Sequence, residues 1–215
     1  MRLVCTLSVL LLATVQSAAS APREITGAGF RYYVLSLYWL PTLCIESPDS
    51  DECRGSTRNG FIVHGLWPAL DYNSPTRCGG AGVLSDSLVD SLKDLLPTRR
   101  LVEREWNVYG TCTGQAPDGF FTLLRQAYDS VRVPRVLGGG GGGGQTLNLG
   151  QIIKAFTNAD HGLPAQAIVL TCSDNPARLR EIRICLAKNL ASNYCSGETL
   201  GASCRVPNIE VPAAP

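Results

Sequence analysis

The stretch Phe61-Ile62-Val63-His64-Gly65-Leu66-Trp67-Pro68 runs three apolar residues straight into a histidine. An apolar, β-prone run of this kind reads as a strand, which puts His64 at a strand end where its side chain faces a cleft. A second stretch, Glu105-Trp106-Asn107-Val108-Tyr109-Gly110-Thr111-Cys112, follows Arg104 and gathers a carboxylate, an indole, a phenol and a thiol. Glu105 is a candidate site carboxylate, or else the ion-pair partner of Arg104 or another cation. Trp39, Trp67 and Trp106 are read first as core residues, with stacking on nucleic-acid bases as the alternative.

Outward from these stretches the chain alternates strands and helices. Tyr32, Tyr33, Val34, Leu35, Leu37, Tyr38 and Trp39 make a buried strand from Phe30 to Trp39, closed by Pro41. Between Ser85 and Leu96 the apolar residues Leu88, Val89, Leu92, Leu95 and Leu96 fall at helical spacing, with Ser85 or Asp86 as cap and Pro97 as stop. Phe120, Phe121, Leu124, Ala127, Tyr128 and Val131 repeat that pattern. Leu149 to Phe156 reads as a short helix, and Ala167 to Cys172 and Leu179 to Leu186 as strands. The order lacks regular βαβ repetition, so the fold class expected is α+β, an antiparallel sheet with packed helices. The glycine run Gly138 to Gly144 reads as a flexible surface loop, because no Lys-Ser/Thr follows to make it a phosphate cradle. The tail after Cys204, with Pro207, Pro212 and Pro215, reads as extended or disordered.

At the N-terminus, Arg2 precedes an apolar run from Leu3 to Val15 and small residues from Ser17 to Ala21, the pattern of a secretory signal peptide over residues 1–20. The run is shorter than the roughly 18 to 20 apolar residues of a membrane helix, so no membrane association is expected. Residues 21–215 are read as one domain. Arg2 is the only charge of the signal, which leaves the mature chain with 18 basic and 18 acidic side chains. A neutral balance gives no support to tight, sequence-independent nucleic-acid binding, which is driven by basic excess. Beyond Cys5 stand Cys44, Cys53, Cys78, Cys112, Cys172, Cys185, Cys195 and Cys204, an even set that in a secreted chain reads as four disulfides whose pairing spacing alone does not select. No Cys-x-x-Cys pair occurs and only two histidines exist, so no metal is expected.

The two quoted stretches resemble the active-site segments of the ribonuclease T2 family, which includes the plant S-RNases and S-like RNases. His64-Gly65-Leu66-Trp67-Pro68 matches the family pattern completely. The second family pattern, His-Glu-Trp-x-Lys-His-Gly-Thr-Cys, is matched at Glu105, Trp106, Gly110, Thr111 and Cys112, whereas Arg104 stands for the first histidine, Val108 for the lysine and Tyr109 for the second histidine. The opening strand with Trp39, Pro41 and Cys44, and the ending Glu181-Ile182-Arg183-Ile184-Cys185, also resemble family segments. The resemblance implies the pairs Cys44–Cys53, Cys78–Cys112, Cys172–Cys204 and Cys185–Cys195.

Family members make the ribose 2′-hydroxyl attack its own phosphate, giving a 2′,3′-cyclic phosphate. The step needs a base, an acid and a cation for the phosphorane. The resemblance implies His64 as general acid, Glu105 as polariser of the phosphate and Arg104 as phosphate binder. It leaves the base position to Tyr109, whose unperturbed pKa near 10 makes it a poor base, and the cation position to Val108, which has no charge. The expectation is a catalytically impaired or inactive protein, retained for a storage, stress or defence, or binding role. Two alternatives stay open: a weak endoribonuclease on single-stranded RNA, and an RNA-binding module that does not cut. His161, in a turn-like stretch, is the only other histidine and is read as a solvent-facing loop residue. No cofactor is expected, single-stranded RNA is the ligand considered, the protein is read as a monomer, and its destination is extracellular or vacuolar. When the full chain is expressed in a secreting host, mass spectrometry of the intact product should find Ser20 or Ala21 as the first residue; a product retaining Met1 to Ala19 would refute the signal assignment.

Overall fold

A computed structural model describes residues 29–54, 60–72, 74–80, 82–137, 144–174, 176–201 and 203–213. The signal assigned to residues 1–20 lies outside the described residues, as does the glycine run apart from Gly144. The elements in chain order are β1 (Tyr32–Trp39), α1 (Leu40–Glu46), β2 (Phe61–Ala69), α2 (Asp86–Ser91), α3 (Arg99–Val108), α4 (Pro117–Asp129), β3 (Gln145–Leu147), α5 (Leu149–Ala159), β4 (Ile168–Cys172), β5 (Leu179–Leu186), α6 (Gly197–Gly201) and β6 (Ile209–Val211). The architecture is α+β with an antiparallel sheet, as expected.

The sheet runs β2-β1-β5-β4, antiparallel throughout. Strand side chains alternate between faces. On β1 the residues Tyr33, Leu35, Leu37 and Trp39 face the larger core, which Val89, Leu101, Val102, Phe120, Leu124, Ile152 and Phe156 complete from the helices. Tyr32 and Val34 face the other way, into a smaller cluster with Trp67, Ala69, Val169 and Cys185. The helices start where their sequences allow. Thr98 caps α3 by accepting from the Leu101 amide, and Asn148 with Gln151 forms a capping box on α5.

Several expectations need correction. His64 is not at a strand end but inside β2, because the ladder pairs Leu37 with Val63 and Ser36 with Gly65 and leaves His64 as the extra residue of a β-bulge. Pro41 does not merely close β1; it occupies the first turn of α1, where its missing N–H costs nothing. The helix read over Ser85 to Leu96 ends at Ser91, although Leu92, Leu95 and Leu96 stay buried through the following turns. Of the two forms expected for the tail after Cys204, the extended one is found at β6. There the tail pairs with β3, buries Ile209 and Val211, and offers the Pro212 carbonyl to the Trp39 indole at 3.0 Å.

The structure contains the disulfides Cys44–Cys53, Cys78–Cys112, Cys172–Cys204 and Cys185–Cys195. Cys78–Cys112 ties the segment after β2 to the turn that follows α3, and the Arg77 amide reinforces it by donating to the Val108 carbonyl at 2.8 Å. Among the described residues no helix is long and apolar enough to cross a membrane.

The same turn depends on Gly110. A methyl there would overlap the Trp106 ring and sit 3.0 Å from Phe120 Cδ1, and both rings are buried. Gly110→Ala is therefore expected to destabilise the protein by about 1–3 kcal/mol through overpacking, measured as a lower midpoint in urea with an unchanged slope.

Candidate active site

The site is built on the outer face of the sheet and on the end of α3 that abuts β2. The bulge shifts the alternation of β2 by one residue, so His64 and Trp67, three apart in sequence, both project to this face while Leu66 between them turns into the core. Ser36 and Tyr38 of β1 and Glu181 and Arg183 of β5 share the face, in register as Ser36 with Arg183 and Tyr38 with Glu181.

His64 is held on three sides. Its Nδ1 lies 2.9 Å from Glu181 Oε1 and 3.2 Å from Ser36 Oγ, and its ring stacks on Tyr38 with centroids 3.9 Å apart. Ser36 Oγ also donates to Glu181 Oε1, and Arg183 Nε donates to Glu181 Oε2 at 2.7 Å. A histidine whose Nδ1 proton is given to a carboxylate keeps Nε2 free to exchange a proton with a ligand. Among the described residues Nε2 has no hydrogen-bond partner.

Trp67 is the hub of the cleft. Tyr109 stacks on it at 5.3 Å, His64 meets it edge-on at 5.1 Å, and the Arg183 guanidinium carbon lies 5.1 Å from its centroid. A cavity of about 380 Å³ opens beside it, lined by Trp67, Ser74, Thr76, Tyr109, Arg183 and Glu198 among others. Gly65 makes room for the fifth participant, because a methyl there would overlap the Glu105 carboxylate and lie 2.6 Å from the Trp67 indole nitrogen.

Not every candidate reaches this site. Trp39 and Trp106 lie in the core with the helices, so neither is available to stack on a base, and Trp67 is the one indole at the cleft. Apolar strand and helix positions bury them: Trp39 packs on Phe61 and Trp106 on Phe120. Arg104 stands at the rim, paired with Glu52 at 3.5 Å, and Glu105 is not its ion-pair partner, since the Glu105 carboxylate instead accepts from the Leu66 amide at 2.7 Å. Val108 is half-buried and apolar, and His161 is exposed in the turn after α5. Glu181 and Arg183 were absent from the sequence reading of the site. Their signal lay in the strand pattern, where a buried glutamate and an arginine two apart occupy one face of a strand.

Residues 30–195 match the model of the Ribonuclease T2 family. A ribonuclease of Aeromonas hydrophila is 35% identical over 129 residues, covering 58% of this chain and 58% of that protein. The chain thus spans a little over half the length of that relative. Among solved structures, ribonuclease MC1 from the seeds of bitter gourd superposes with a TM-score of 0.63 at 24% identity, covering 84% of this chain and 100% of the other, and a mutant of ribonuclease MC1 has been solved in complex with 5′-GMP. An RNase-related protein from Calystegia sepium superposes with a TM-score of 0.64 at 19% identity, over 86% and 98% of the two chains.

Two of the buried carboxylates, Glu105 and Glu181, are in opposite states. Burial penalises charge on Glu181, but the hydrogen bond from His64, the charges of Arg183 and His64 and the Ser36 hydroxyl outweigh it and hold the carboxyl below its ordinary value. Glu105 is buried as deeply, and desolvation pushes it from 4.5 up to about 8 against the weaker pull of the Leu66 amide and Arg104. Tyr109 is also raised, by burial first and by the Glu105 charge second, so its phenol stays protonated. Because the folded protein keeps a proton on Glu105 that the unfolded chain loses above its ordinary pKa, stability falls as pH rises from near 4.5 to near 8 and levels off above. Glu105→Gln, which does not titrate, should match the native protein near pH 4 and exceed it by on the order of 3 kcal/mol at pH 8 in urea unfolding. A constant difference across that range would refute the neutral carboxyl.

Proposed function

Because the chain belongs to the ribonuclease T2 family, we propose that it is a secreted member whose RNA-cleaving site is catalytically impaired. The observation that carries this reading is the stack of Tyr109 on Trp67, with centroids 5.3 Å apart. In the family pattern that position is the second histidine; here it is a protonated phenol whose pKa is raised by burial, which accepts no 2′-hydroxyl proton near neutral pH. Val108 brings no charge to the phosphorane. A general base is worth about 10² to 10⁴ in rate and one electrostatic contact about 10² to 10³, and since such losses rarely multiply cleanly, a deficit of about 10⁴ is expected.

What remains is half of a catalytic apparatus. His64 is oriented as an acid: its Nδ1 is engaged by Glu181, so Nε2 is the atom that would protonate the leaving 5′-oxygen. Glu105, neutral below about pH 8, is able to donate a hydrogen bond to a phosphate oxygen rather than repel it. Arg104 adds a cation at the rim, already shared with Glu52. The His64–Glu181 pair favours a second reading, a slow endoribonuclease on single-stranded RNA, over a protein with no activity at all. In either case a stable scaffold with four disulfides suits storage, stress or defence, or partner binding outside the cytosol, and the apolar N-terminal run supports export.

The test is cleavage of single-stranded RNA from about pH 4 to 8 by the mature, disulfide-intact protein and by the double variant Val108→Lys with Tyr109→His, beside an active family ribonuclease. The native protein should be slower than that enzyme by about 10⁴, and the double variant should recover about 10² or more of the deficit. A native rate equal to that of the active enzyme would overturn the impaired site.

A further inference from the structure

The outer face of the sheet holds a cation that lies in neither of the two motif stretches, residues 61–68 and 104–112. Arg183 sits on β5 opposite Ser36, its guanidinium lies against Trp67, and its side chain lines the cavity with Tyr109. Only Nε is spent, on Glu181 Oε2. Among the described residues the Nη atoms have no hydrogen-bond partner. A guanidinium carries five N–H donors in a fixed fork, so the unspent ones form an anion-binding edge.

The other oxygen of the same carboxylate holds His64. One buried glutamate therefore clamps an imidazole and a guanidinium around a single indole, and leaves Nε2 of the first and the Nη atoms of the second without partners. A guanidinium that served only to neutralise Glu181 would have no need to line a cavity. Of the neighbouring charges, Glu181 is matched by Arg183 and Arg104 by Glu52, Glu105 is neutral below about pH 8, and the exposed Glu198 also lines the cavity.

We propose that Arg183 is the phosphate-binding cation of this cleft, standing in for the missing charge at Val108, and that Glu181 is the positioning residue for both Arg183 and His64. The ligand class is a nucleotide phosphate, held between His64 Nε2 and the Arg183 Nη atoms. The assignment rests on the cleft being the ribonuclease-derived site proposed above. It differs from the role given to Arg104, which is tied to Glu52 at the rim.

The probe is uridine 3′-monophosphate, titrated calorimetrically into the mature disulfide-intact protein, with uridine as the phosphate-free control. Uridine should bind at least tenfold more weakly than the nucleotide. Arg183→Gln should lower nucleotide affinity about tenfold, Arg183→Lys by less because a point charge remains, and Arg180→Gln, on the same strand but paired with Glu46, should change nothing. Glu181→Gln should weaken binding several-fold and shift the ¹⁵N signals of the His64 ring away from the Nδ1–H tautomer, which loss of packing alone would not do. Nucleotide binding no tighter than uridine, or undiminished in Arg183→Gln, would overturn the assignment. If Arg183→Gln does not fold, the Arg183 Nη resonances of the native protein decide, since they must move when the nucleotide is added and their constancy refutes the proposal. Full-rate RNA cleavage by the native protein would sink the impaired-site reading and leave the Arg183 result standing; unchanged affinity in Arg183→Gln sinks Arg183 alone.

Discussion

The alternation of side chains across a strand is the constraint on which this structure turns. β1 lies between two partners and both its faces are committed, one to the helical core through Leu35, Leu37 and Trp39, the other to the site through Ser36 and Tyr38. A one-residue slip of β2 would send His64 into the core and Leu66 to the cleft. The bulge at His64 resolves the conflict. It lets Phe61 and Val63 on one side, and Leu66 on the other, keep facing the core while both His64 and Trp67 face outward. Bulges concentrate beside active sites because they re-aim a side chain without giving up the ladder around it.

On that face, environment rather than residue type decides what a carboxylate does. Glu105 and Glu181 are both buried, with exposures of 1% and 2%, yet only Glu181 has cations in contact. Desolvation therefore wins at Glu105 and loses at Glu181, so two buried glutamates are held on opposite sides of their ordinary pKa. Gly65 belongs to the same arrangement, since its missing side chain is the space that the Glu105 carboxylate and the Trp67 indole share.

At the end of α3 the backbone frame is held independently of the side chains at 108 and 109. Tyr109 finds an aromatic partner in Trp67, and the Val108 carbonyl still accepts from the Arg77 amide beside Cys78–Cys112. The turn geometry depends on backbone hydrogen bonds, a disulfide and Gly110 rather than on the side chains at 108 and 109.

Much of the fold was legible in the sequence: the strand-prone runs gave β1, β4 and β5, the helical spacing gave α4 and α5, and the absence of βαβ order gave an antiparallel sheet. Those features rest on local periodicity, which one chain segment carries by itself. The residues from 61 to 68 and from 104 to 112 also carried, without coordinates, the resemblance to the family. The tertiary structure alone decided that His64 sits in a bulge rather than at a strand end, that Trp39 and Trp106 are core while Trp67 is the hub, and that Arg104 pairs with Glu52. It alone joined Glu181 to His64 across 117 positions of sequence. The reason is physical: register, strand order and burial are set by pairing between distant segments, and a carboxylate's partner and protonation state follow from them, so no local pattern around His64 names Glu181.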